Sequence, residues 1–439
     1  MKSQDQISLS DAHNSTLTRR ALMRGLMVSL LPAVITVRTR SAAAFQQTAS
    51  RGDSERLPYG ADVLPQGIRS RFVNDINGLR MHVLDAGFET TGRPAVLLLH
   101  GFPELAYSWR RVMLPIAAGG YHVIAPDRRG YGRTSGWDAT YDVDLRPFGW
   151  LNQVIDAVTL VSTLGYRSVA AVVGHDQGSP HAGWCALARP DVFRSAVMMS
   201  APFGGAPSLP VNGVKAPAIG PTVATDPIYD DLAKLTPPRK HYQRYYQEHE
   251  ANENLWHPPQ GIHAFLRAYY HMKSADWKEN NPHLLAGRTA AEWAKLPRYY
   301  IMDLNKGMAE TVASEMPSPA EIAACRWLPD WELRVYAEEY GRTGFQGGLN
   351  GYRIGLVGKE LQLLAGKTID VPSTFIAGRK DWGVYQNPGD LQRLETTHTT
   401  KYQGTHLVDE AGHWVQQEQP EQVSELLLKF LKGNSTARG

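Results

Sequence analysis

The 439-residue chain has only two cysteines, Cys185 and Cys325. That is too few for a disulfide scaffold, and neither has neighbours at metal-ligand spacing, so both read as free, packed thiols. Long apolar runs are also missing. The most apolar N-terminal stretch, Leu26 to Val37, is broken by Ser29 and Pro32 and falls short of the about 20 residues that a bilayer span requires. Nor is there an excess of charge. The formal net charge is +3, and residues 1–44 alone hold six basic against two acidic side chains, so the remainder is about one unit negative. A near-neutral body without a basic run has no electrostatic footprint for nucleic acid. No internal repeat is visible, which sets aside solenoids and propellers.

What the chain does contain is 43% hydrophobic residues, enough to bury a large core in one domain with an insertion or in two domains. Asn77-Gly78 separates two β-prone segments, 71–75 and 79–85, and is a strong hairpin signal. Residues 94–99 form an uninterrupted apolar run and residues 122–125 another, as expected of strands buried on both faces. Leu151, Val154, Ile155, Val158 and Val161 then recur at helical spacing, with Gly165 where a helix commonly ends. Strand-forming runs return at 169–173, 194–200 and 371–377, and Val423, Leu426, Leu427, Phe430 and Leu431 make one face of a closing helix. This alternation predicts an α/β fold, a mostly parallel sheet wrapped by helices, with ligands at the carboxyl ends of the strands. It is interrupted over 204–367, a stretch rich in Tyr, Trp and His with helical periodicity, which reads as a helical cap inserted after the sixth strand. The core is accordingly assigned to 68–203 and 368–433, with 45–67 as a linker.

The run at 169–173 leads into Gly174-His175-Asp176-Gln177-Gly178. Glycines on both sides of a central residue permit a sharp strand-to-helix turn that lifts the middle side chain above the sheet edge. Standing alone, such a pentapeptide is no more than a glycine-flanked turn. As a nucleophile elbow it carries Asp176 where a serine esterase would carry serine, which disfavours that class. A carboxylate is suited to displacing a leaving group at an sp³ carbon, with an alkyl ester of the enzyme as the first product.

Together with His100-Gly101-Phe102-Pro103-Glu104, Tyr107-Ser108-Trp109-Arg110 and Gly130-Tyr131-Gly132, the elbow makes the chain resemble the α/β-hydrolase fold, and within it the soluble epoxide hydrolases with an aspartate nucleophile. The resemblance runs from about residue 70 to 432. It implies an enzyme that opens an epoxide with water to a vicinal diol and needs no cofactor or metal. It implies a triad of Asp176, Asp381 in Gly378-Arg379-Lys380-Asp381-Trp382, and His413 in Glu410-Ala411-Gly412-His413-Trp414, in the order nucleophile, acid, histidine. Some relatives carry the acid one strand earlier, where Met198-Met199-Ser200-Ala201-Pro202-Phe203 offers no carboxylate. Two cap tyrosines that protonate the departing ring oxygen are matched by Tyr242 and Tyr352, with Tyr245 and Tyr246 competing for the first role. The backbone N–H groups of Phe102 and Gln177 would form the oxyanion hole. Gln177 departs from the tryptophan that many members carry after the nucleophile, which leaves the pocket wall open. His175 and His181 read as structural, and Asp127 and Glu104 as loop and capping residues. The implied partners are a small apolar epoxide and water, with no nucleic acid and no stable membrane span; nothing in the chain fixes an oligomeric state. Two rival readings stand beside this one: a haloalkane or haloacid dehalogenase using the same Asp-His-Asp triad, and a non-catalytic binding protein on the same fold.

The N-terminus adds an address. Thr18-Arg19-Arg20-Ala21-Leu22-Met23-Arg24 ahead of a moderately apolar segment, followed by Ala42-Ala43-Ala44, resembles a twin-arginine export signal over 1–44. The resemblance implies removal of that segment and a periplasmic or secreted destination.

Overall fold

A computed structural model describes residues 57–209, 226–356 and 358–435. The export-signal segment lies outside the described residues. Ile68–Ile76 (β1) and Leu79–Ala86 (β2) form the hairpin expected around Asn77-Gly78, whose two residues have φ of 50° and 81°, as a tight two-residue hairpin turn requires. There follow Ala95–Leu99 (β3), His122–Pro126 (β4), Ala171–His175 (β5), Ala196–Met199 (β6), Arg239–His241 (β7), Ile301–Asp303 (β8), Ser373–Gly378 (β9) and Tyr402–Val408 (β10). Eight of them make one sheet in the order β1-β2-β4-β3-β5-β6-β9-β10. β2 runs antiparallel to β1 and β4, and every pair from β4 to β10 is parallel.

The sheet is buried on both faces because its side chains alternate between two cores. Val96, Leu98, Val123, Ala125, Val173 and Met199 point to one side, where Val112, Met113 and Ile116 of the helix Arg110–Ala118 (α1) and Val423 and Leu427 of the C-terminal helix meet them. Leu97, Leu99, Ile124, Val172 and Met198 point to the other, against Val154, Leu160 and Val161 of Trp150–Thr163 (α2) and Ala182, Cys185 and Ala186 of Gly178–Ala188 (α3). Period-two alternation with both halves apolar is what turned these strands into continuous apolar runs in the sequence. The thiol of Cys185 is buried, whereas that of Cys325 is only half-buried; neither is in a disulfide.

Three details differ from the sequence reading. β5 runs through Gly174 and His175, two residues past the apolar run, because both keep pairing with β6, and hydrogen bonding rather than side-chain apolarity ends a strand. β10 carried no strand signal: it is the sheet edge, mostly half-buried, so it lacks the apolar run of its neighbours. The inserted segment is not purely helical, since β7 and β8 pair as an antiparallel ribbon. Strands of three residues are too short for periodicity to reveal. The insertion otherwise consists of helices, among them Ile262–Lys273, Asp330–Thr343 and Gln346–Arg353, and its aromatic side chains continue the first of the two cores over the sheet edge. Among the described residues no helix is long and apolar enough to cross a membrane.

Candidate active site

The sheet order brings the carboxyl ends of β3, β5, β6, β9 and β10 side by side, and the chain leaves those ends at Phe102, Asp176, Ser200, Asp381 and His413. Asp176 sits at the crest of the turn from β5 into α3 with φ of 52°, a left-handed conformation that costs a residue with a Cβ free energy unless its surroundings enforce it. The enforcement is visible in the two flanking glycines. A Cβ on Gly174 would lie 1.8 Å from the carbonyl oxygen of Gly178, and one on Gly178 would lie 2.0 Å from that of Leu99. The glycines of the pentapeptide are therefore needed for contact between β5, α3 and β3, beyond any freedom they give the backbone.

The Asp176 carboxylate is held at both oxygens. The backbone N–H of Phe102 donates to Oδ1 at 2.9 Å, and Nε2 of His413 lies 3.5 Å from Oδ2. Nδ1 of His413 faces Asp381 Oδ1 at 3.1 Å and the hydroxyl oxygen of Ser200 at 2.8 Å. Ser200 in turn donates to Asp381 Oδ2 at 2.5 Å, and the backbone N–H of Gly383 donates to Oδ1 at 2.7 Å. An acceptor at Nδ1 fixes the histidine tautomer and leaves Nε2, buried and without a hydrogen-bond partner, toward Asp176. Ser200 is the residue that motif reading missed. It stands at the strand end where a carboxylate was sought, and its contact with both Asp381 and His413 follows only from the adjacency of β6 and β9.

Burial pushes the Asp176 carboxyl upward, but the adjacent imidazole of His413, the ammonium of Lys273 and the imidazole of His175 outweigh it and hold the group well below the usual carboxylate range. Asp381 is likewise raised by burial and then lowered by His413, Ser200 and Gly383 to a net position below its ordinary value. Beneath the elbow lies a second buried pair. Nδ1 of His175 donates to Glu104 Oε2 at 2.6 Å and its Nε2 donates to the carbonyl oxygen of His413 at 2.6 Å. Both ring nitrogens face acceptors, so this imidazole is held as the cation, and Glu104 also accepts from Gly101 N–H and Gln416. The pair ties the Gly101 loop to the His413 loop. Asp127 plays a similar part in its own turn, accepting from the N–H groups of Ala106 and Arg133 and from His82, and His181 donates to the carbonyl oxygen of Gln153.

Asp176 opens into a cavity of about 390 Å³ lined by Gln177, Trp184, Phe203, Tyr242, Tyr352 and Leu361 among others. The rings of Tyr242 and Tyr352 are 6.1 Å apart. The competing tyrosines are spent elsewhere: Tyr245 donates to Asn254 and Tyr246 to Tyr269. The short helix Tyr242–Tyr245 decides this, since its first residue faces the cavity and the residue after its last packs behind. Tyr242 accepts from Gln243 at 3.0 Å and donates to Gln386 at 3.3 Å, while the Tyr352 hydroxyl makes no hydrogen bond among the described residues. Burial, and after it the negative charge of Asp176, pushes both phenols well above their usual range, so both keep their protons. The arrangement can therefore attack an electrophilic carbon with a carboxylate, donate protons to a leaving oxygen, and activate a water beside the resulting ester.

A carboxylate at the elbow of a parallel sheet, faced by a histidine and by proton donors from an inserted cap, defines the site of an α/β hydrolase. A model of the alpha/beta hydrolase fold family matches residues 94–420. The chain is 33% identical to epoxide hydrolase A of Mycobacterium tuberculosis over 82% of its own length and 96% of that protein, and 31% identical to an epoxide hydrolase of Caballeronia sordidicola over 81% and 92%. Among solved structures, an epoxide hydrolase from an endophytic Streptomyces matches with a TM-score of 0.67 at 29% identity, covering 85% of this chain and 97% of that one. Potato epoxide hydrolase I matches with a TM-score of 0.62 at 26% identity, covering 83% and 99%. The chain belongs to the α/β-hydrolase fold family and, within it, to the epoxide hydrolases.

Proposed function

We propose that this epoxide hydrolase works through an ester on Asp176. Oδ2 attacks a ring carbon, the carbon–oxygen bond breaks toward the ring oxygen, and that oxygen takes a proton from the Tyr242 and Tyr352 pair. His413, oriented by Asp381, then removes a proton from water, and the hydroxide adds to the ester carbon. Negative charge collects on Oδ1, already hydrogen-bonded to Phe102 N–H, with the Gln177 N–H as second donor; such a donor is worth about 10²–10³ in rate. Collapse expels the diol oxygen, which takes its proton from His413. The acid left at Asp176 returns a proton to the tyrosine pair. The observation that carries this reading is the division of labour at Asp176: Oδ1 sits on a backbone donor and Oδ2 beside an oriented, unpartnered histidine nitrogen. Trp150, Trp184, Phe203, Ile354 and Leu361 on the cavity wall suit a small, largely apolar substituent.

The test is a single turnover in ¹⁸O-water with enzyme in excess over an aryl epoxide. The diol should be unlabelled at the oxygen donated by Asp176, and the peptide containing Asp176 should gain the label. A labelled diol with unlabelled enzyme would refute the ester. A haloalkane supplied in parallel should release no halide. We further propose export by the twin-arginine route, supported by Arg19-Arg20 and the segment after them; replacement of both arginines by lysine is expected to retain the protein in the cytoplasmic fraction.

A further inference from the structure

The residue after the candidate nucleophile is an amide built into the cavity wall. Tyr131 is buried, and its hydroxyl donates to Gln177 Oε1 at 2.9 Å, with no other acceptor among the described residues. Burial pushes this phenol far above its usual range, so it stays a donor. The amide is seated against Gly351, where a Cβ would come within 2.9 Å of Oε1, and Gly351 immediately precedes Tyr352. Gln177 lines the cavity beside Asp176, and with its oxygen committed to Tyr131 its Nε2 is without a hydrogen-bond partner among the described residues. A cavity-facing amide nitrogen loses its hydrogen bond to water when an apolar substrate enters and regains one when the substrate offers an acceptor. Asp176 is the one charged side chain among the described cavity-lining residues, so an anionic substituent would meet a carboxylate and no cation.

Taking the proposed function as its basis, we infer that Gln177 selects neutral epoxides bearing a hydrogen-bond-accepting oxygen, an ether, carbonyl or hydroxyl, within one or two bonds of the ring. Because Gln177 adjoins the attacking residue, its Nε2 reaches groups close to the reacting carbon, while the apolar wall takes the remainder of the substrate. Tyr131 is the positioning residue: it aims the amide and touches no substrate.

The test compares butyl glycidyl ether with 1,2-epoxyoctane, which differ by an ether oxygen in place of one methylene. The ratio of their kcat/KM values is measured for the wild type, Gln177→Leu and Tyr131→Phe. Sites that hydrogen-bond a substrate atom reject analogues lacking it far more strongly than apolar pockets reject isosteres. The ratio is therefore expected to fall about tenfold in both variants, through a raised KM for the ether, with 1,2-epoxyoctane nearly unaffected in Tyr131→Phe. Any intrinsic activation of the ring by the ether oxygen is common to all three proteins and cancels. An unchanged ratio in both variants would overturn the assignment, as would an equal loss of both substrates in Tyr131→Phe, which marks a merely structural role. If the wild type converts neither epoxide to diol, the proposed function itself fails.

Discussion

The two cap tyrosines are chemically alike but differently engaged, and this predicts unequal effects when each is replaced. The Tyr352 hydroxyl is free among the described residues, so it gains a full new bond when the ring oxygen becomes anionic. Hydrogen bonds to charged groups contribute about 1.5–3 kcal/mol, and Tyr352→Phe is therefore expected to slow ester formation about 10- to 150-fold. Tyr242 must first surrender its bond to Gln386. At 3.3 Å that neutral bond stands at the weak end of its class, about 0.5–1 kcal/mol, and its loss offsets part of the gain. Tyr242→Phe is accordingly expected to be less damaging than Tyr352→Phe by about 2- to 5-fold. Ester formation can be followed by stopped-flow tryptophan fluorescence, since Trp150 and Trp184 line the cavity. In a Gln386→Leu background the two replacements should become equivalent. A larger effect for Tyr242→Phe, or a gap that survives Gln386→Leu, would refute the reasoning.

Replacing His413 by Gln removes the group beside Oδ2 without touching Phe102, so one equivalent of substrate should remain on the enzyme by intact mass while turnover falls about 10²–10⁴-fold. In pH terms, Asp176 is held below the ordinary carboxylate range, so it stays ionised as pH falls through the usual value of about 4; pre-steady-state ester formation should show no loss there. The raised phenols keep their protons as pH rises, and no alkaline limb below about pH 10 should appear in the same step. Glu104→Ala strands the His175 cation in the core and is expected to destabilise the fold by about 3–5 kcal/mol, read by urea denaturation. Ser200→Ala deprives the buried Asp381 of a donor and should cost about 1–3 kcal/mol by the same measurement, with ester hydrolysis slowed more than ester formation.

Most of what was legible in the sequence rests on local rules. The hairpin at Asn77-Gly78 follows from turn stereochemistry, and strands β3 to β6 show as apolar runs because both faces of the sheet are covered. The elbow follows from two glycines that leave no room for a Cβ. These signals lie within a few residues, so no knowledge of distant partners is needed. β10, the β7–β8 ribbon and the Cys325 environment escaped because edge strands, three-residue strands and half-buried positions impose no pattern on composition.

The candidate site divides along the same line. Residue types and order, with Asp176 ahead of Asp381 and His413, stand in the sequence, as does the departure at Gln177. The sequence favours Tyr242 as the first cap tyrosine but leaves Tyr245 and Tyr246 in competition, because three phenols within five positions differ only in the direction each takes from one short helix. Ser200 bridging Asp381 and His413, His175 held as a cation by Glu104, and the Tyr131 hydroxyl aiming the Gln177 amide were decided by tertiary structure alone. Each is a hydrogen bond between side chains brought together by sheet order and packing, and such contacts carry no periodicity that one segment of chain could display.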